Sequence, residues 1–385
     1  MPLPTPIRLP LQCLPPLLFL GGMLLLARSG AAQPGLAFQK LTAGAAHTCG
    51  LHVNGTVWCW GSHEKGQIGI GTGTSAANPT PVSGLHGVMD LEASGTQTCA
   101  VLAEEVKCWG VDGDETFPPT AIDTSSPEAV TMLASPAQAV SSGRYHTCFL
   151  LVDQTIHCQG SNLRGQLGAG VQAGTRSQTP LWIRALLQAQ ALEAGSWHTC
   201  ALDLNHVAWC WGAYLVNHGA FEPENLGIGP LQELAAGEGF TCGLTGQGQG
   251  LCWGVDDFGQ LGNGSLDTGR MPVLVNGMQS AQAITAGSFH ACAILQDDRV
   301  QCWGANTLGQ LGNGTTRMSS IPVTVAGLEN VEAITAGAAH TCALLKDQTA
   351  YCWGSNHAGQ LGNGSRVNAP TPTAVMLAPS VENRG

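Results

Sequence analysis

Seven pairs of cysteines are the residues of this sequence whose type and spacing could support chemistry. We call the stretch of sequence around each cysteine pair a unit. In five of the seven units a histidine stands two positions before the first cysteine. Thiolate and imidazole are zinc ligands, so His47, Cys49 and Cys59 form one candidate ligand set. The same cysteines can instead be joined as disulfides. Because no carboxylate accompanies the set, we predict no metal site and a histidine that packs and bonds to a neighbouring turn.

The sequence around each cysteine pair predicts two short strands joined by a turn. In the last unit, strand-compatible residues at 343–345 and 350–352 flank a polar stretch at 346–349. A turn centred there puts Cys342 opposite Cys352, and directly opposed strand residues have Cα atoms roughly 4.5–5.5 Å apart. That separation suits a disulfide. The predicted disulfides are Cys49–Cys59, Cys99–Cys108, Cys148–Cys158, Cys200–Cys210, Cys242–Cys252, Cys292–Cys302 and Cys342–Cys352.

The cysteine pairs recur with a period of about 50 residues, which is typical of one supersecondary unit per repeat. A length of 385 residues would otherwise allow two or three domains. The chain has 52 glycines and only 11% charged residues, a composition that suits short strands and tight turns. We therefore predict one all-β domain, built as a ring or a solenoid of repeats.

Three phrases of the unit resemble the repeat of the regulator-of-chromosome-condensation family. In the last unit they are Ala336-Gly337-x-x-His340-Thr341, Cys352-Trp353-Gly354 and Gly359-Gln360-Leu361-Gly362. Gly-Gln-Leu-Gly recurs at 165–168, 259–262 and 309–312, with Gly-Gln-Ile-Gly at 66–69, whereas the second and fourth units lack this loop. The resemblance covers about residues 36–377 and implies a seven-bladed β-propeller of four-stranded blades.

The two ends of the repeat region are expected to share a blade. Residues 372–377 match a strand that precedes other units, as at 272–275, and no such strand precedes the first unit. We predict that this strand is innermost and that pairing of the N- and C-terminal strands in blade one closes the ring, which removes open sheet edges. The shorter interval between Cys200 and Cys242 predicts that blade five lacks or shortens its innermost strand.

The N-terminal segment has the features of a secretory signal. An apolar run at residues 11–26 precedes small residues at 30–32, a candidate cleavage site. An uncleaved membrane anchor is the alternative, although two prolines interrupt the run and it is short for a span. The predicted organisation is a signal peptide at 1–32, a propeller domain at 33–377 and a disordered tail at 378–385.

Export agrees with the cysteine content, because removal of Cys13 with the signal leaves an even number of cysteines for an oxidising compartment. The net charge of −11 argues against nucleic-acid binding. We predict a secreted monomer, in the extracellular space or the secretory lumen, with no membrane span in the mature chain. Four sequons are candidate glycosylation sites, although Asn-Gly is also a turn signal. The sequons are Asn54, Asn263, Asn313 and Asn363.

The strongest functional signal lies in the turn before each first cysteine. Units one and seven carry Ala46 and Ala339 there, whereas units three, four and six carry aromatic rings and unit five has Phe240 one position later. Trp, Tyr and Arg dominate protein-binding hot spots, so this turn is a candidate binding surface, and packing between blades is the alternative. The predicted partner-binding residues are Arg144, Tyr145, Trp197, Glu238, Phe240 and Phe289.

No Gly-x-Ser-x-Gly, His-Glu-x-x-His or P-loop motif occurs, so we predict no enzymatic activity, no catalytic residue and no cofactor. We predict a secreted β-propeller scaffold that binds an extracellular or cell-surface protein through one face of the disc. The family resemblance implies an alternative, guanine-nucleotide exchange on a small GTPase, which conflicts with export and disulfides. A lectin or hydrolase that uses the central channel is a third possibility.

Overall fold

The computed structural model describes residues 36–71, 73–110, 130–170, 174–215, 218–278 and 280–378. The predicted signal peptide and nearly all of the predicted tail lie outside these residues. The regular elements of the described chain are β-strands, arranged in seven sheets of four. Across these same ranges, no helix is long and apolar enough to cross a membrane.

The strands are numbered in chain order and fall into seven consecutive blades. Blade one contains β1 (Phe38–Ala43), β2 (His47–His52), β3 (Val57–Gly61) and β4 (Ala76–Pro81). Blade two contains β5 (Asp90–Ser94), β6 (Gln97–Val101), β7 (Val106–Gly110) and β8 (Val130–Leu133). Blade three contains β9 (Ala137–Ser142), β10 (His146–Leu151), β11 (Ile156–Ser161) and β12 (Arg176–Trp182). Blade four contains β13 (Ala189–Ala194), β14 (His198–Asp203), β15 (Ala208–Leu215) and β16 (His218–Asn225). Blade five contains β17 (Leu231–Ala236), β18 (Phe240–Thr245), β19 (Gly250–Gly254) and β20 (Gly269–Leu274). Blade six contains β21 (Ala281–Ala286), β22 (His290–Leu295), β23 (Val300–Gly304) and β24 (Ser319–Thr324). Blade seven contains β25 (Val331–Ala336), β26 (His340–Leu345), β27 (Ala350–Gly354) and β28 (Ala369–Ala374).

Each blade is an antiparallel sheet whose four strands pair in chain order. The first strand of each blade is innermost, because the turns that follow these strands line a central cavity. The first strands of neighbouring blades pack against each other, and β1 packs in the same way against β25. The seven-bladed propeller of four-stranded blades is therefore confirmed.

The predicted sharing of one blade by the two ends is wrong. The C-terminal strand β28 pairs with β27 in blade seven, and β1 pairs with β2 in blade one. Blade one takes its fourth strand from Ala76–Pro81, so it needs nothing from the C-terminus. Blades one and seven are joined by packing and side-chain bonds instead of by a shared sheet.

The proline-bearing strand, predicted to be innermost, is the outermost strand of its blade. Proline has no N–H to donate, so in a sheet it suits an edge strand. Pro272 in β20 and Pro322 in β24 both lie in strands with a neighbour on one side only. At this position proline also protects the open edge against pairing with another chain.

Blade five is complete, contrary to prediction. Its innermost strand is β17, which begins at Leu231. The preceding segment, which lacks the usual motif, forms β16 as the outer strand of blade four. The short interval between Cys200 and Cys242 reflects the lost loop of blade four, because β15 and β16 follow each other closely along the chain.

All seven predicted disulfides are present in the structure. Each joins directly opposed residues of the second and third strands, as for Cys342 and Cys352, whose Cα atoms lie 4.1 Å apart. The half-cystines are buried among apolar residues that fill the spaces between blades. The bridges are Cys49–Cys59, Cys99–Cys108, Cys148–Cys158, Cys200–Cys210, Cys242–Cys252, Cys292–Cys302 and Cys342–Cys352.

Candidate protein-binding face

The repeated histidine joins each blade to the next. The Nε2 atom of His340 lies 2.9 Å from the hydroxyl oxygen of Thr48, across the junction of blades seven and one. The Thr48 hydroxyl donates to the Gln360 carbonyl at 2.9 Å, so its oxygen accepts a hydrogen bond from the Nε2–H group of His340. The same side-chain bond, 2.7–2.9 Å long, recurs at other junctions. These pairs are His47–Thr98, His146–Thr199, His198–Thr241 and His290–Thr341.

These histidines are buried and neutral. Burial lowers the pKa of His47, His146 and His340 to about 3. In the described chain no group of three or more His, Cys, Asp or Glu residues could hold a metal ion. The packed, hydrogen-bonded role predicted for the histidine agrees with these contacts.

The glycine before each histidine makes room for the imidazole. A Cβ on Gly337 would lie 2.2 Å from His340 Cε1 and 2.3 Å from the Gly44 carbonyl oxygen of the next blade. Real Cβ atoms do not approach this closely, because the overlap is strongly repulsive. The Ala-Gly-x-x-His phrase is therefore explained by packing at the blade junction.

The Gly-Gln-Leu-Gly loop of one blade binds the tryptophan of the next. The Trp353 indole N–H donates to the Gln310 carbonyl at 2.9 Å, and Trp303 bonds to Gln260 in the same way. Blade four has lost this loop, and the Trp253 indole nitrogen of blade five is buried without a hydrogen-bond partner. Blade two has also lost it, and blade three has Gln159 where most blades have tryptophan.

The predicted binding turns and the loops that follow the third strands meet on one side of the propeller, here called the loop face. Tyr145 and Trp197 occupy the turns of blades three and four. Their ring centroids are 4.0 Å apart with the planes tilted by 31°. Both side chains are half-buried, so the pair contacts its neighbours and still presents surface to solvent. Contact between two aromatic rings stabilises the pair beyond the burial of their apolar surface.

Two arginines flank the stacked rings. The Arg144 guanidinium carbon lies 5.4 Å from the Tyr145 centroid, and that of Arg164 lies 6.0 Å from the Trp197 centroid. Arg144 also forms a 3.8 Å ion pair with Glu238, and its side chain is 52% exposed. We call Arg144, Tyr145, Arg164 and Trp197 the aromatic patch.

The two predicted phenylalanines have different environments. Phe289 is half-buried and lies 5.2 Å, centroid to centroid, from Phe258, which is 38% exposed. Phe240 is fully buried, because its ring occupies the place of the repeated histidine against Gly237. Its assignment to a binding surface is therefore wrong, since none of its surface is accessible to a partner.

The loop face surrounds a central cavity of about 510 Å3. Its wall is formed mostly by small residues of the seven turns, and Lys65, Arg144, Glu238 and Phe289 lie on it. The predicted residues Arg144, Glu238 and Phe289 thus share one opening.

Further along the channel, the innermost strands carry carboxylates on blades two, four and five. Burial raises the pKa of Glu92 and of Glu233 to about 7, and it raises the pKa of Glu193 well above its ordinary value. Thr42 donates a 3.4 Å hydrogen bond to Glu92, and the Ile284 amide donates one of 3.0 Å to Glu233. These acids hold protons at a pH where most carboxyl groups are charged.

The sequons differ in accessibility. Asn54 is exposed in the turn between β2 and β3, where its side-chain oxygen accepts from the Thr56 amide and hydroxyl. Asn263, Asn313 and Asn363 are half-buried. The Asn363 amide nitrogen, the atom that would carry a glycan, donates to Thr373 at 3.2 Å.

Arg164, Phe258 and the channel glutamates were not singled out from the sequence. Arg164 and Phe258 belong to loops that follow third strands and contact turns of the next blade. Aligning the repeats at the position before Gly-Gln-Leu-Gly would have separated both from Ala358 and Leu308. A similar alignment would have set Glu92 and Glu193 apart from Thr42 and Thr335.

Comparison with known proteins identifies the class. The Regulator of chromosome condensation (RCC1) repeat matches residues 54–101, 247–294, 297–344 and 347–383. A second description of that repeat matches residues 38–67, 137–166, 281–310 and 331–360. The chain belongs to the RCC1 repeat family.

The similar proteins that share this repeat are less than 30% identical to the chain in two examples. The chain is 28% identical to human E3 ubiquitin-protein ligase HERC2 over 62% of its own length and 5% of that protein. It is 29% identical to human probable E3 ubiquitin-protein ligase HERC6, over 64% of this chain and 26% of that one. It therefore spans only a small part of these relatives.

Solved structures share the fold. The crystal structure of Prp20p from Saccharomyces cerevisiae has a TM-score of 0.72 and 17% identity, covering 86% of this chain and 88% of Prp20p. Human WBSCR16 has a TM-score of 0.71 and 19% identity, covering 82% and 89%. At these identities the likeness establishes the fold alone.

Proposed function

We propose that this protein is a secreted propeller that binds an extracellular or cell-surface protein through its loop face. One observation carries the proposal: Tyr145 and Trp197 have ring centroids 4.0 Å apart and are only half-buried, beside two arginines. Partly desolvated Tyr, Trp and Arg residues supply most of the binding energy of protein interfaces.

Internal comparison of the repeats argues that these rings are not needed for folding. Blades one and seven carry Ala46 and Ala339 at the positions of Tyr145 and Trp197, and their His–Thr junctions form normally. A turn that accepts alanine in two blades does not require a large ring. The rings in blades three and four are therefore available for recognition.

Secretion is supported by two features. Seven buried disulfides persist in an oxidising compartment and are rare in the cytosol. The N-terminal sequence has the apolar run and small residues of a signal peptide. Together they support a partner that lies outside the cell or on its surface.

A protein-binding role also agrees with what is described for a protein of the same fold. The Prp20p structure is described with binding to Gsp1p and histones. The ligase activity in the names of HERC2 and HERC6 belongs to proteins of which the chain matches 5% and 26%, and it forms no part of the proposal.

Cell-surface binding of the purified secreted chain tests the proposal. We expect Tyr145→Ala and Trp197→Ala each to weaken binding by about 2 kcal/mol, as hot-spot truncations do. Proximity labelling on the same cells would identify the partner and should lose its signal with both variants.

Trp182→Ala is the matched control, because Trp182 is an exposed tryptophan (42%) in the outer strand of blade three. It should bind as the unaltered chain does. An equal loss for Trp182→Ala would contradict a site on the loop face. So would a large fall in melting temperature for Trp197→Ala with unchanged affinity per folded molecule, which would assign the ring to packing.

A further inference from the structure

Resting on the binding face proposed above, we infer that the aromatic patch takes an acidic protein segment, with an Asp or Glu carboxylate of the partner held by Arg164 and Arg144. Arg164 is exposed and forms no ion pair with any residue in the described ranges. The ion pair of Arg144 with Glu238 is long, at 3.8 Å. Both guanidinium groups can therefore take a further anion.

The aromatic rings orient the two guanidinium groups. A guanidinium above a ring is held by its attraction to the π face. Its N–H groups then remain free at the edge, where they match the two oxygens of a carboxylate. Arg164 lies over Trp197 and Arg144 over Tyr145, and the two rings are themselves in contact. A partner would thus meet apolar surface and two oriented cations together.

The overall charge of −11 does not oppose this binding at the patch. Acidic turns such as those at Asp153 and Asp347 join second and third strands, at the far ends of strands of about six residues. A strand of that length spans roughly 20 Å. Charges are screened over about 8 Å at physiological ionic strength, so local arginines determine which partner is favoured.

A protein segment fits the patch better than a polyanion. Glu238 lies beside Arg144, and it would repel a chain that carries one charge after another. Polyanion binding depends on many cationic contacts in a row. A single carboxylate flanked by apolar side chains matches two arginines and two rings.

Selection of displayed random dodecapeptides on the full secreted chain provides the probe. We expect enriched peptides to carry Asp or Glu next to apolar residues. Arg164→Gln should weaken their binding about tenfold, as loss of a charged interface contact does. Arg164→Glu should weaken it further, and replacing the peptide's acid by lysine should restore binding to Arg164→Glu.

Arg184→Gln is the matched control, because Arg184 lies 5.2 Å from the centroid of exposed Trp182 and outside the patch. It should leave peptide binding unchanged. Enrichment without acids, or equal binding by the Arg164→Gln variant, would overturn the acidic partner. If Trp197→Ala abolished peptide binding and Arg164→Gln left it unchanged, the proposed binding face would be supported and the proposed contact with a partner carboxylate would be refuted. If neither Trp197→Ala nor Arg164→Gln changed binding, both would fail.

Heparin is the last probe, since sulfated chains also bind arginine. We expect no binding of immobilised heparin that depends on Arg164. Heparin binding that is lost in Arg164→Gln and that displaces the peptides would replace the acidic protein segment by a sulfated glycan.

Discussion

Blades six and seven keep the histidine, the tryptophan and the Gly-Gln-Leu-Gly loop of the repeat, whereas each of blades two to five lacks at least one of the three. His290 and His340 make the junction bond, and Trp303 and Trp353 bind the loop of the preceding blade. Blade two has Gln97 in place of histidine, and its side-chain oxygen accepts from Thr147.

Blade five has Phe240 in place of histidine, so its junction with blade six has no histidine bond. The aromatic patch lies on blades three and four, within this irregular part. The consensus residues therefore hold neighbouring blades together. Residues that differ from the consensus are the side chains available for binding a partner.

The largest expected difference is between a consensus tryptophan and the tryptophan of the patch. Trp353→Ala should lower the free energy of unfolding by about 3–5 kcal/mol, because it empties a buried site and leaves the Gln310 carbonyl without its indole donor. Trp197→Ala should lower it by about 1 kcal/mol or less, since the ring is half-buried. Denaturant unfolding of the two variants measures this; equal losses would remove the distinction between consensus and departure.

The next effect concerns Glu92, which, like Glu193, stands where the regular blades have Thr42 and Thr335. Burial raises the pKa of Glu92 from 4.5 to about 7, although Lys40 and Thr42 act against the shift. The native state therefore holds a proton that the unfolded chain has released. This contribution to stability is complete below pH 4.5 and is lost as the pH rises to about 7.

Glu92→Gln should consequently be more stable than the unaltered chain at pH 8, by on the order of 2 kcal/mol, and similar to it near pH 4.5. Unfolding curves at several pH values test this. Exposed Glu104→Gln is the control and should not change the pH dependence. The buried histidines are present in both chains, so their opposite effect, a loss of stability below pH 6.5, cancels in the difference. If the free energy of unfolding of Glu92→Gln varied with pH in parallel with that of the unaltered chain, protonation of Glu92 in the native state would be refuted.

A smaller difference in the loss of stability is expected between variants of two buried tryptophans. Trp303 donates to the Gln260 carbonyl, whereas the Trp253 indole nitrogen is buried without a partner. Phenylalanine removes similar apolar surface at both sites but breaks a hydrogen bond at only one. Trp303→Phe should therefore cost about 1–2 kcal/mol more than Trp253→Phe in thermal or denaturant unfolding. Equal costs would show that the loop-to-tryptophan bond contributes nothing net.

The smallest effect on stability is expected from glycosylation, which should distinguish the turn of blade one from the loop of blade seven. We expect a glycan on Asn54, which is exposed, and none on Asn363, whose amide nitrogen donates to Thr373. Mass spectrometry of the secreted chain before and after glycosidase treatment measures both. Asn54→Gln should remove the added mass without changing partner binding, because the β2–β3 turn is far from the loop face. Modification of Asn363 alone would be the contrary result.

The strand–turn–strand core of each blade and its disulfide could be predicted from the amino-acid sequence. A turn centred on the polar residues between Cys342 and Cys352 puts the two cysteines opposite each other, and the structure has this register. Seven copies of that hairpin, with the repeated Gly-Gln-Leu-Gly loop, determined the number of blades. Tyr145 and Trp197 could be singled out because repeats provide their own comparison.

Tertiary packing, by contrast, determines which strand is outermost and which loop contacts which turn. A proline-bearing strand between two hairpins can pair with either, and its local pattern does not distinguish them. Arg164 reaches Trp197, and Gln310 reaches Trp353, across a blade junction. Such contacts depend on how two sheets pack around the axis, which no short stretch of sequence encodes. The same packing buries Phe240 while it leaves Phe258 exposed.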